Sequence, residues 1–504
     1  MGLFKREGER VPPHPRKEPR IDLPLSLESL KQVFSDCVDF AWREVDLAGD
    51  GEKRVAVCYL GGMVKLERAS EYILRPLAQD DILRRLPLAE AFRRMAGGAL
   101  YNLMVEERTT MDQAVADLVN GFLLLLCPGE KAALSFYMAT EDKRSIGAPE
   151  NEPAIKGSRD SFVENLRTNT SLVRRHLRAP ELKIREQVVG RQSLTPVDVL
   201  WLEGIADPET VKRVEERLAD MDVDALLSAG ELEEYLVRDS RTAFPLALHT
   251  ERPDRFCSGL ADGRVGILAE GLPLGYLVPG TAAQFLRAPE DKADNWILAS
   301  ALTVLRYLCM LVTLLLPAFY VAVVGFHQEM IPTRLALSII AAKQDVPFLT
   351  AVEVLVLLVA FEILQEAGLR LPQAVGHTVS IIGGLVVGTA AVEAKIVSPA
   401  VLIVVAVAGI TGYTMPSQEF GGALRIWRFL LTILASFAGL FGLVMGSAVL
   451  ILRLARLESF GVSYLTPFAS GSAGAMGRAV IRPPLASTKL RPADLRPPNR
   501  RKRR

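Results

Sequence analysis

Residues 307–326 read YLCMLVTLLLPAFYVAVVGF, twenty residues that carry no charge and a single proline, Pro317. An α-helix rises about 1.5 Å per residue, so a helix of this length just covers a hydrocarbon core roughly 30 Å thick. Arg306 stands directly before the run, where its guanidinium can reach the membrane interface. The stretch predicts that the second part of this 504-residue chain is embedded in a membrane.

Four further apolar segments follow this run. Residues 429–452 form a second long one, which Arg453 and Arg456 close. Three weaker candidates contain glutamates or are short, namely residues 348–367, 378–392 and 400–415. Short neighbouring segments are typical of a tight hairpin or a re-entrant pair. The five candidates predict an all-α polytopic membrane domain over residues 295–458.

The charges that flank the apolar half predict its orientation. Residues 469–504 contain ten Lys and Arg side chains and one acid, so the positive-inside rule places the basic, Pro-rich tail (459–504) in the cytoplasm, against anionic lipid. Residues 1–24 are charged, which predicts disorder, and lack the apolar core of a signal peptide. Both termini are therefore expected in the cytoplasm. The number of membrane crossings is then even. Because there are five candidate segments, either one of them does not cross fully or one of them contains two crossings. We expect four crossings.

Glu353 and Glu362 are candidate ion-pathway residues. A carboxylate at membrane depth is costly and normally faces a polar cavity or a partner. The two acids are nine residues apart, about 180° around a helix, so both line one pore only if the helix breaks. If this segment instead lies along the interface, its acids are simply in water.

Two pairs of glycines mark candidate helix contacts. Gly384 and Gly388, and likewise Gly442 and Gly446, are four residues apart, a spacing of small residues that lets helix backbones approach closely in lipid. Such contacts occur within one subunit or between subunits.

The first half of the chain repeats itself at an offset of 142 residues. An alternating apolar strand that ends in glycine recurs at 55–62 and 197–204, and a periodic helix that ends in Asn-Gly or Asp-Gly recurs at 112–121 and 254–263. Strand–turn–strand segments follow both helices. This order predicts a soluble α/β half made of two duplicated subdomains, with bounds at 25–150 and 151–290.

Recognisable motifs for catalysis or cofactor binding are missing from the sequence. It contains neither a GxGxxG nor a GxxxxGK[ST] motif, and no HExxH or GxSxG. The five histidines are isolated and the five cysteines are scattered, which predicts reduced structural thiols and no metal site. Basic residues lack interleaved aromatics, which argues against nucleic acid. We therefore expect no enzyme, no cofactor and no nucleic-acid partner.

The stretch KGSRDSFVENLRTN at 156–169 resembles the RGxREGFxENLRTN signature of the GerA family of spore germination proteins. Similar motifs follow in order at 202–208, 250–254, 380–388 and 459–467, so the resemblance covers roughly residues 25–468. The chain departs from the family pattern at four positions, which hold Ser158, His249, Leu358 and Gln418.

The resemblance implies the A subunit of a nutrient germinant receptor in the spore inner membrane. Its implied partners are a transporter-like B subunit, a lipoprotein C subunit and further copies of itself, assembled around a nutrient-gated cation channel. Two alternatives stay open. One is a relative of stage V sporulation protein AF, which amplifies ion release, and the other is a membrane-anchored sensor or scaffold without a pore. Candidate subunit-contact residues are Glu164, Asn165, Arg167, Asn169, Glu251, Arg252 and Pro253.

Overall fold

Two five-stranded antiparallel sheets form the frame of the first half of the chain. The computed structural model describes residues 21–47, 53–100, 105–140, 149, 152, 156–237, 242–370, 388–469 and 473–502. The first sheet consists of β1 to β5, Phe40–Asp46, Arg54–Leu60, Val105–Arg108, Phe122–Leu126 and Ala133–Tyr137. The second consists of β6 to β10, Leu182–Val189, Thr195–Leu202, Leu248–Thr250, Val265–Ala269 and Gly275–Val278.

Helices cover both faces of these sheets. Helices α1 to α11 are Leu27–Val33, Leu66–Ala69, Arg75–Gln79, Asp81–Arg85, Leu88–Arg94, Met111–Val119, Leu166–His176, Pro208–Ala219, Ala229–Leu236, Pro253–Asp262 and Ala282–Phe285. Strand β4, with the sequence FLLLL, shows why both faces of the sheet have to be covered. Leu123 and Leu125 lie in one apolar cluster and Leu124 and Leu126 in another. A strand that is buried on both sides reads as a continuous apolar run rather than an alternating one.

The two sheets share one topology and one register. Their strand orders are β1-β2-β4-β5-β3 and β6-β7-β9-β10-β8. Val57 lies opposite Leu125 in the first sheet, and Val199 lies opposite Ile267 in the second. Both members of the second pair stand 142 residues after their counterparts. The repeat in the sequence therefore corresponds to a repeat of the cross-strand pairing. The predicted α/β fold is present.

A buried ion pair joins the two repeats. The Arg174 guanidinium donates to both carboxylate oxygens of Asp39, with Nε–Oδ2 and Nη2–Oδ1 distances of 2.8 and 2.9 Å. Both side chains are essentially inaccessible, at 0% and 1% exposure. Beside this pair, the Lys183 ammonium donates to the Val33 carbonyl, 2.8 Å away, and Ile184 pairs with Cys37 as a parallel bridge. The charges have lost their water, so each depends on the other.

The second half of the chain is helical. Helices α12 to α17 are Trp296–Phe326, Thr333–Lys343, Thr350–Arg370, Gly388–Glu393, Pro399–Gly412 and Gln418–Arg456, and α18 in the tail is Ala473–Val480. Of the described residues, two helices are long and apolar enough to cross a membrane, α12 and α17. Helix α13, whose large apolar side chains are exposed, was not predicted from the sequence.

Helix α17 reverses direction at Gly439. This residue has φ = 58° and ψ = −138°, which is not helical. Beyond it the chain folds back: a Cβ on Gly446 would lie 2.6 Å from the Leu431 side chain, and one on Gly442 would clash with the Leu434 carbonyl oxygen. An uninterrupted helix would separate residues 431 and 446 by about 22 Å.

Helix α17 is therefore a hairpin of a first arm, 418–438, and a second arm, 440–456. The prediction of one span over 429–452 is wrong, because the run conceals two helices. The arms are about 30 and 25 Å long, each comparable with a hydrocarbon core.

The helices run in directions that their contacts define. Arg306 near the start of α12 pairs with Asp291 of the soluble half, and the far end of α12, Phe326, touches Gly439. The first arm starts beside the soluble half, where Phe420 packs against Phe244 and Phe285. It therefore runs parallel to α12, and the second arm returns.

Helices α14 and α16 run the opposite way from α12. Thr313 of α12 meets Thr411 at the end of α16, with 2.8 Å between the hydroxyl oxygens, whereas Val321 packs in one cluster with Val401. The start of α14 meets the start of α16, so these two helices are parallel.

The basic tail packs on the soluble half. Arg482 donates to the carbonyls of Lys292 and Asp294, at 2.9 and 2.7 Å, and Arg491 donates to the Ala261 carbonyl at 2.9 Å. Lys502 forms an ion pair with Asp262. In the described part of the tail these cations thus bind protein groups, whereas the sequence predicted a contact with anionic lipid.

All five cysteines are buried and reduced, as predicted for structural thiols. Burial raises the pKa of Cys58 and of Cys127 to about 12.

Replacing Gly439 with valine should destabilise the membrane half. The backbone conformation at this residue is accessible essentially to glycine, and its Cβ would lie 2.9 Å from that of Phe326. We expect Gly439→Val to lower the free energy of unfolding by about 1–3 kcal/mol, seen as a lower melting temperature of the full chain in detergent. Gly325→Ala, at a helical glycine with free space around it, is the matched control and should change little. Equal melting temperatures for both variants would contradict the hairpin.

Replacing one partner of the buried ion pair should lower the free energy of unfolding more than replacing both. Arg174→Met leaves Asp39 charged and without its partner, which should lower the free energy of unfolding by about 3–5 kcal/mol. The double variant Arg174→Met/Asp39→Leu should recover most of this loss. Urea unfolding of the full chain in detergent, followed by tryptophan fluorescence, measures the difference. A double variant as unstable as the single one would show that the pair is not the source of the effect.

Candidate functional site

Glu353 lies in the first turn of α14 and stabilises the start of α16. Its carboxylate accepts a hydrogen bond from the backbone N–H of Ser398, the N-cap residue of α16, at 2.8 Å. The Lys343 ammonium at the end of α13 lies 3.5 Å away. A negative charge at a helix N-terminus is favourable because unpaired N–H groups and the helix dipole meet there. At 1% exposure, Glu353 joins three helices.

Glu362 lies on the other side of the same helix, as its spacing from Glu353 predicts. Its carboxylate oxygens accept hydrogen bonds from Arg425 at 3.0 Å and from Arg428 at 2.6 Å, both on the first arm of α17. Arg428 is 2% exposed, whereas Glu362 and Arg425 are 26% and 31% exposed. The group carries one net positive charge and has one open side.

Sequence reasoning did not single out Arg425 and Arg428. The signal was present, because two arginines stand within a helix that is otherwise apolar, and such cations require a partner. The partner is 63 and 66 residues earlier in the chain, which sequence spacing alone does not connect.

Three of the four predicted glycines fall on described residues. Gly442 and Gly446 pack against the first arm of their own helix, which is a contact within one subunit. A Cβ on Gly388 would lie 3.4 Å from Leu402, so this glycine contacts the neighbouring helix α16. Gly384 lies outside the described residues.

The predicted subunit-contact residues divide by exposure. Glu164, Asn165 and Arg167 are exposed around the start of α7, and Glu251 is half-buried. Asn165 caps this helix by accepting a hydrogen bond from the Thr168 N–H at 2.9 Å.

Three other residues of that group are buried and serve the fold of their own chain. Asn169 exchanges hydrogen bonds with the backbone of Val163, and Arg252 binds both carboxylate oxygens of Asp254 at 2.8 and 3.0 Å. Pro253 occupies the first turn of α10. Asn169, Arg252 and Pro253 are thus bonded or packed within their own chain, and their contact with another subunit stays a prediction.

A group of titratable side chains lies where the soluble half meets α17. Glu233 of α9, His249 of β8 and Glu419 of α17 present ligand atoms that all lie within 4.8 Å of one another. Burial and the neighbouring Glu419 raise the pKa of Glu233 to about 7. Burial disfavours the charged form of His249, but its carboxylate neighbours outweigh this and raise the pKa of the imidazole. Sequence spacing does not connect these residues, because Glu233 is 16 positions from His249 and His249 is 170 positions from Glu419.

Comparison with known proteins identifies the family. The sequence model described as "Bacillus/Clostridium GerA spore germination protein" matches residues 28–494. Spore germination protein KA of Bacillus subtilis (strain 168) is 35% identical over 468 residues, covering 93% of this chain and 85% of that protein. Spore germination protein B1 of the same organism is 34% identical over 471 residues, covering 94% and 96%.

Two further proteins are similar to the chain. The uncharacterized membrane protein YfkQ of Bacillus subtilis (strain 168) is 35% identical over 445 residues, covering 88% of this chain and 86% of that protein. The crystal structure of the N-terminal domain of the A subunit of the Bacillus megaterium spore germinant receptor GerK3 aligns with a TM-score of 0.40 at 25% identity, covering 50% of this chain and 92% of that one. With the family model and full-length relatives in agreement, the chain belongs to the GerA family of spore germination proteins.

Proposed function

We propose that this protein is the A subunit of a nutrient germinant receptor in the spore inner membrane and that its copies assemble into a nutrient-gated cation channel. Family membership and relatives named as spore germination proteins support the receptor role. The ion pathway rests on one observation, the open cluster of Glu362, Arg425 and Arg428 between apolar helices.

The position of this cluster supports a hydrated path. Arg428 lies ten residues into the first arm, about 15 Å along the helix. Charged groups at such a depth face a water-filled cavity or a partner. The partly exposed Glu362 and Arg425 are then the two groups of the cluster that face this path. Glu353, which is buried and bonded within its own chain, acts instead as a structural tie at the far end of the same helix.

Exposed apolar surface supports assembly with other membrane-embedded chains. Phe437 and Phe441, on either side of Gly439, are 80% and 70% exposed, and several large apolar side chains of α12 and α13 are exposed as well. The proposed occupants of this surface are lipid, further copies of the chain, a transporter-like B subunit and a lipoprotein C subunit. The exposed residues Glu164, Asn165 and Arg167 are the proposed contacts of the soluble half.

The helix directions support six crossings rather than four. Helix α12 leaves the soluble half, α14 and α16 both run back towards it, and the two arms of α17 leave and return. Because α14 and α16 are parallel, the chain has to cross once more between them; the segment at 378–392, predicted from the sequence as a candidate span, lies mostly outside the described residues. The count is even, which keeps both termini in the cytoplasm.

Cysteine labelling tests this topology. Asp345, between α13 and α14, and Lys489, in the tail, should be labelled from opposite sides of the membrane. All five native cysteines are buried, so Asp345→Cys and Lys489→Cys should stand out above a low background. An impermeant maleimide, applied to inside-out and right-side-out vesicles, distinguishes the two sides. Labelling of both variants from one side would refute the arrangement.

Ion flux tests the channel. The subunit, reconstituted in liposomes with its B and C partners, should conduct potassium when nutrient is added. Glu362→Gln leaves two arginines without their anion, and the added repulsion should lower cation flux about tenfold, which corresponds to about 1.4 kcal/mol.

Replacing one of the two arginines provides the control for folding. Arg425→Gln removes a repelling charge and should maintain or raise the flux, whereas an unfolded variant would lose it. Glu393→Gln alters an exposed acid outside the cluster and should have no effect. An assembly that conducts no cations with or without nutrient would refute the channel, and flux that does not depend on nutrient would favour an amplifier of ion release.

A further inference from the structure

Three potential metal ligands meet at the junction between the soluble half and the first arm of α17. The His249 Nδ1 atom lies 3.4 Å from a carboxylate oxygen of Glu419, and an oxygen of Glu233 lies within 4.8 Å of both. Among the described residues this is the one group of His, Cys, Asp and Glu side chains whose ligand atoms converge in this way. The 3.4 Å separation is that of two ligands bound to one zinc ion at about 2.0–2.2 Å, and a small movement of the Glu233 side chain lets its carboxylate join them.

The charge of this group calls for a cation. Two carboxylates face each other beside one imidazole, and Glu152 adds further negative charge nearby. Among the described residues, no Lys or Arg forms an ion pair with Glu233 or Glu419. The one ion-pair partner is His249, which pairs with Glu419. Carboxylates held this close repel each other unless a proton, the His249 imidazolium or a metal ion lies between them.

Each ligand is held by a different rigid element. His249 lies in the middle of β8, paired with Tyr276 of β10. Glu233 is in α9, whose start is fixed by a capping box between Ser228 and Glu231. Glu419 is in the first turn of α17, two residues after the N-cap residue Ser417. Such supports keep ligands near a binding geometry before the ion arrives.

A cavity adjoins the group and has room for water. Its volume is about 280 Å³, and Glu233 and Glu419 form part of its wall together with Thr242 and Phe244. Water from this cavity can fill the coordination position that three protein ligands leave open.

We propose that Glu233, His249 and Glu419 form a binding site for a divalent transition-metal ion such as Zn²⁺. An imidazole with two carboxylates favours such an ion over Ca²⁺ and Mg²⁺, which prefer oxygen ligands. The bound ion ties α9 and β8 of the soluble half to the first arm of α17, the arm that carries Arg425 and Arg428. The site does not depend on the proposed pore, because it forms within one chain.

Metal binding to the full chain in detergent tests the proposal. Protein stripped with a chelator and then dialysed against Zn²⁺ should retain one ion per chain, measured by mass spectrometry of the metal. His249→Gln and Glu419→Gln should each weaken binding by about 100-fold or more, since even the loss of an outer-shell contact costs 10–100-fold. His249→Asp, which supplies another ligand, should retain more affinity than His249→Gln.

The matched control is a second histidine beside an acid. His176 lies 3.9 Å from Asp160, but it is not part of the converging group of Glu233, His249 and Glu419. His176→Gln should therefore bind Zn²⁺ as tightly as the unchanged protein. Co²⁺ in place of Zn²⁺ should give a visible d–d absorption band that His249→Gln abolishes and His176→Gln preserves.

Two outcomes would overturn the site. One is the absence of stoichiometric Zn²⁺ binding by the unchanged protein. The other is equal affinity in the unchanged protein, His249→Gln and Glu419→Gln, which would place the ion elsewhere. Melting temperatures without metal, compared among all variants, separate lost ligands from lost folding, and loss of ion flux with intact metal binding would affect the proposed channel alone.

Discussion

At Gly439 the second arm of α17 turns back against the first, and the rest of the membrane half is built around this contact. The reversal lets Gly442 and Gly446 press against Leu434 and Leu431. It also returns the chain to the soluble half, where the Ser459 hydroxyl donates to the Leu246 carbonyl at 2.7 Å. An uninterrupted helix of this length would carry the tail away from the soluble half. One glycine conformation therefore determines whether the last fifty residues can pack against that half.

The return of the chain also fuses the two halves of the protein. Tyr464, after the hairpin, packs against Phe244 and Phe285, which also contact Phe420 at the start of the first arm. A single apolar cluster runs from the second sheet through this aromatic group into α12 and α17. This continuous packing joins the second repeat to the arm that carries Arg428.

Much of this architecture could be predicted from the sequence. The offset of 142 residues appears again in the pairing of Val57 with Leu125 and of Val199 with Ile267, because side-chain alternation and turn glycines specify register locally. The opposite placement of Glu353 and Glu362 followed from helical periodicity. The reversal at Gly439 did not follow, since glycine is common at helix contacts in membranes and nothing local distinguishes a hinge from a packing residue. Contacts between distant segments, such as Glu362 with Arg428, were equally out of reach.

The burial of every cysteine has a consequence for chemical durability. Burial raises the pKa of Cys58 and Cys127 to about 12, so both are thiols rather than thiolates at neutral pH. The thiolate is the form that oxidants attack, and burial blocks their access as well. The same packing that holds the first sheet together therefore protects the thiols of Cys58 and Cys127 from oxidation.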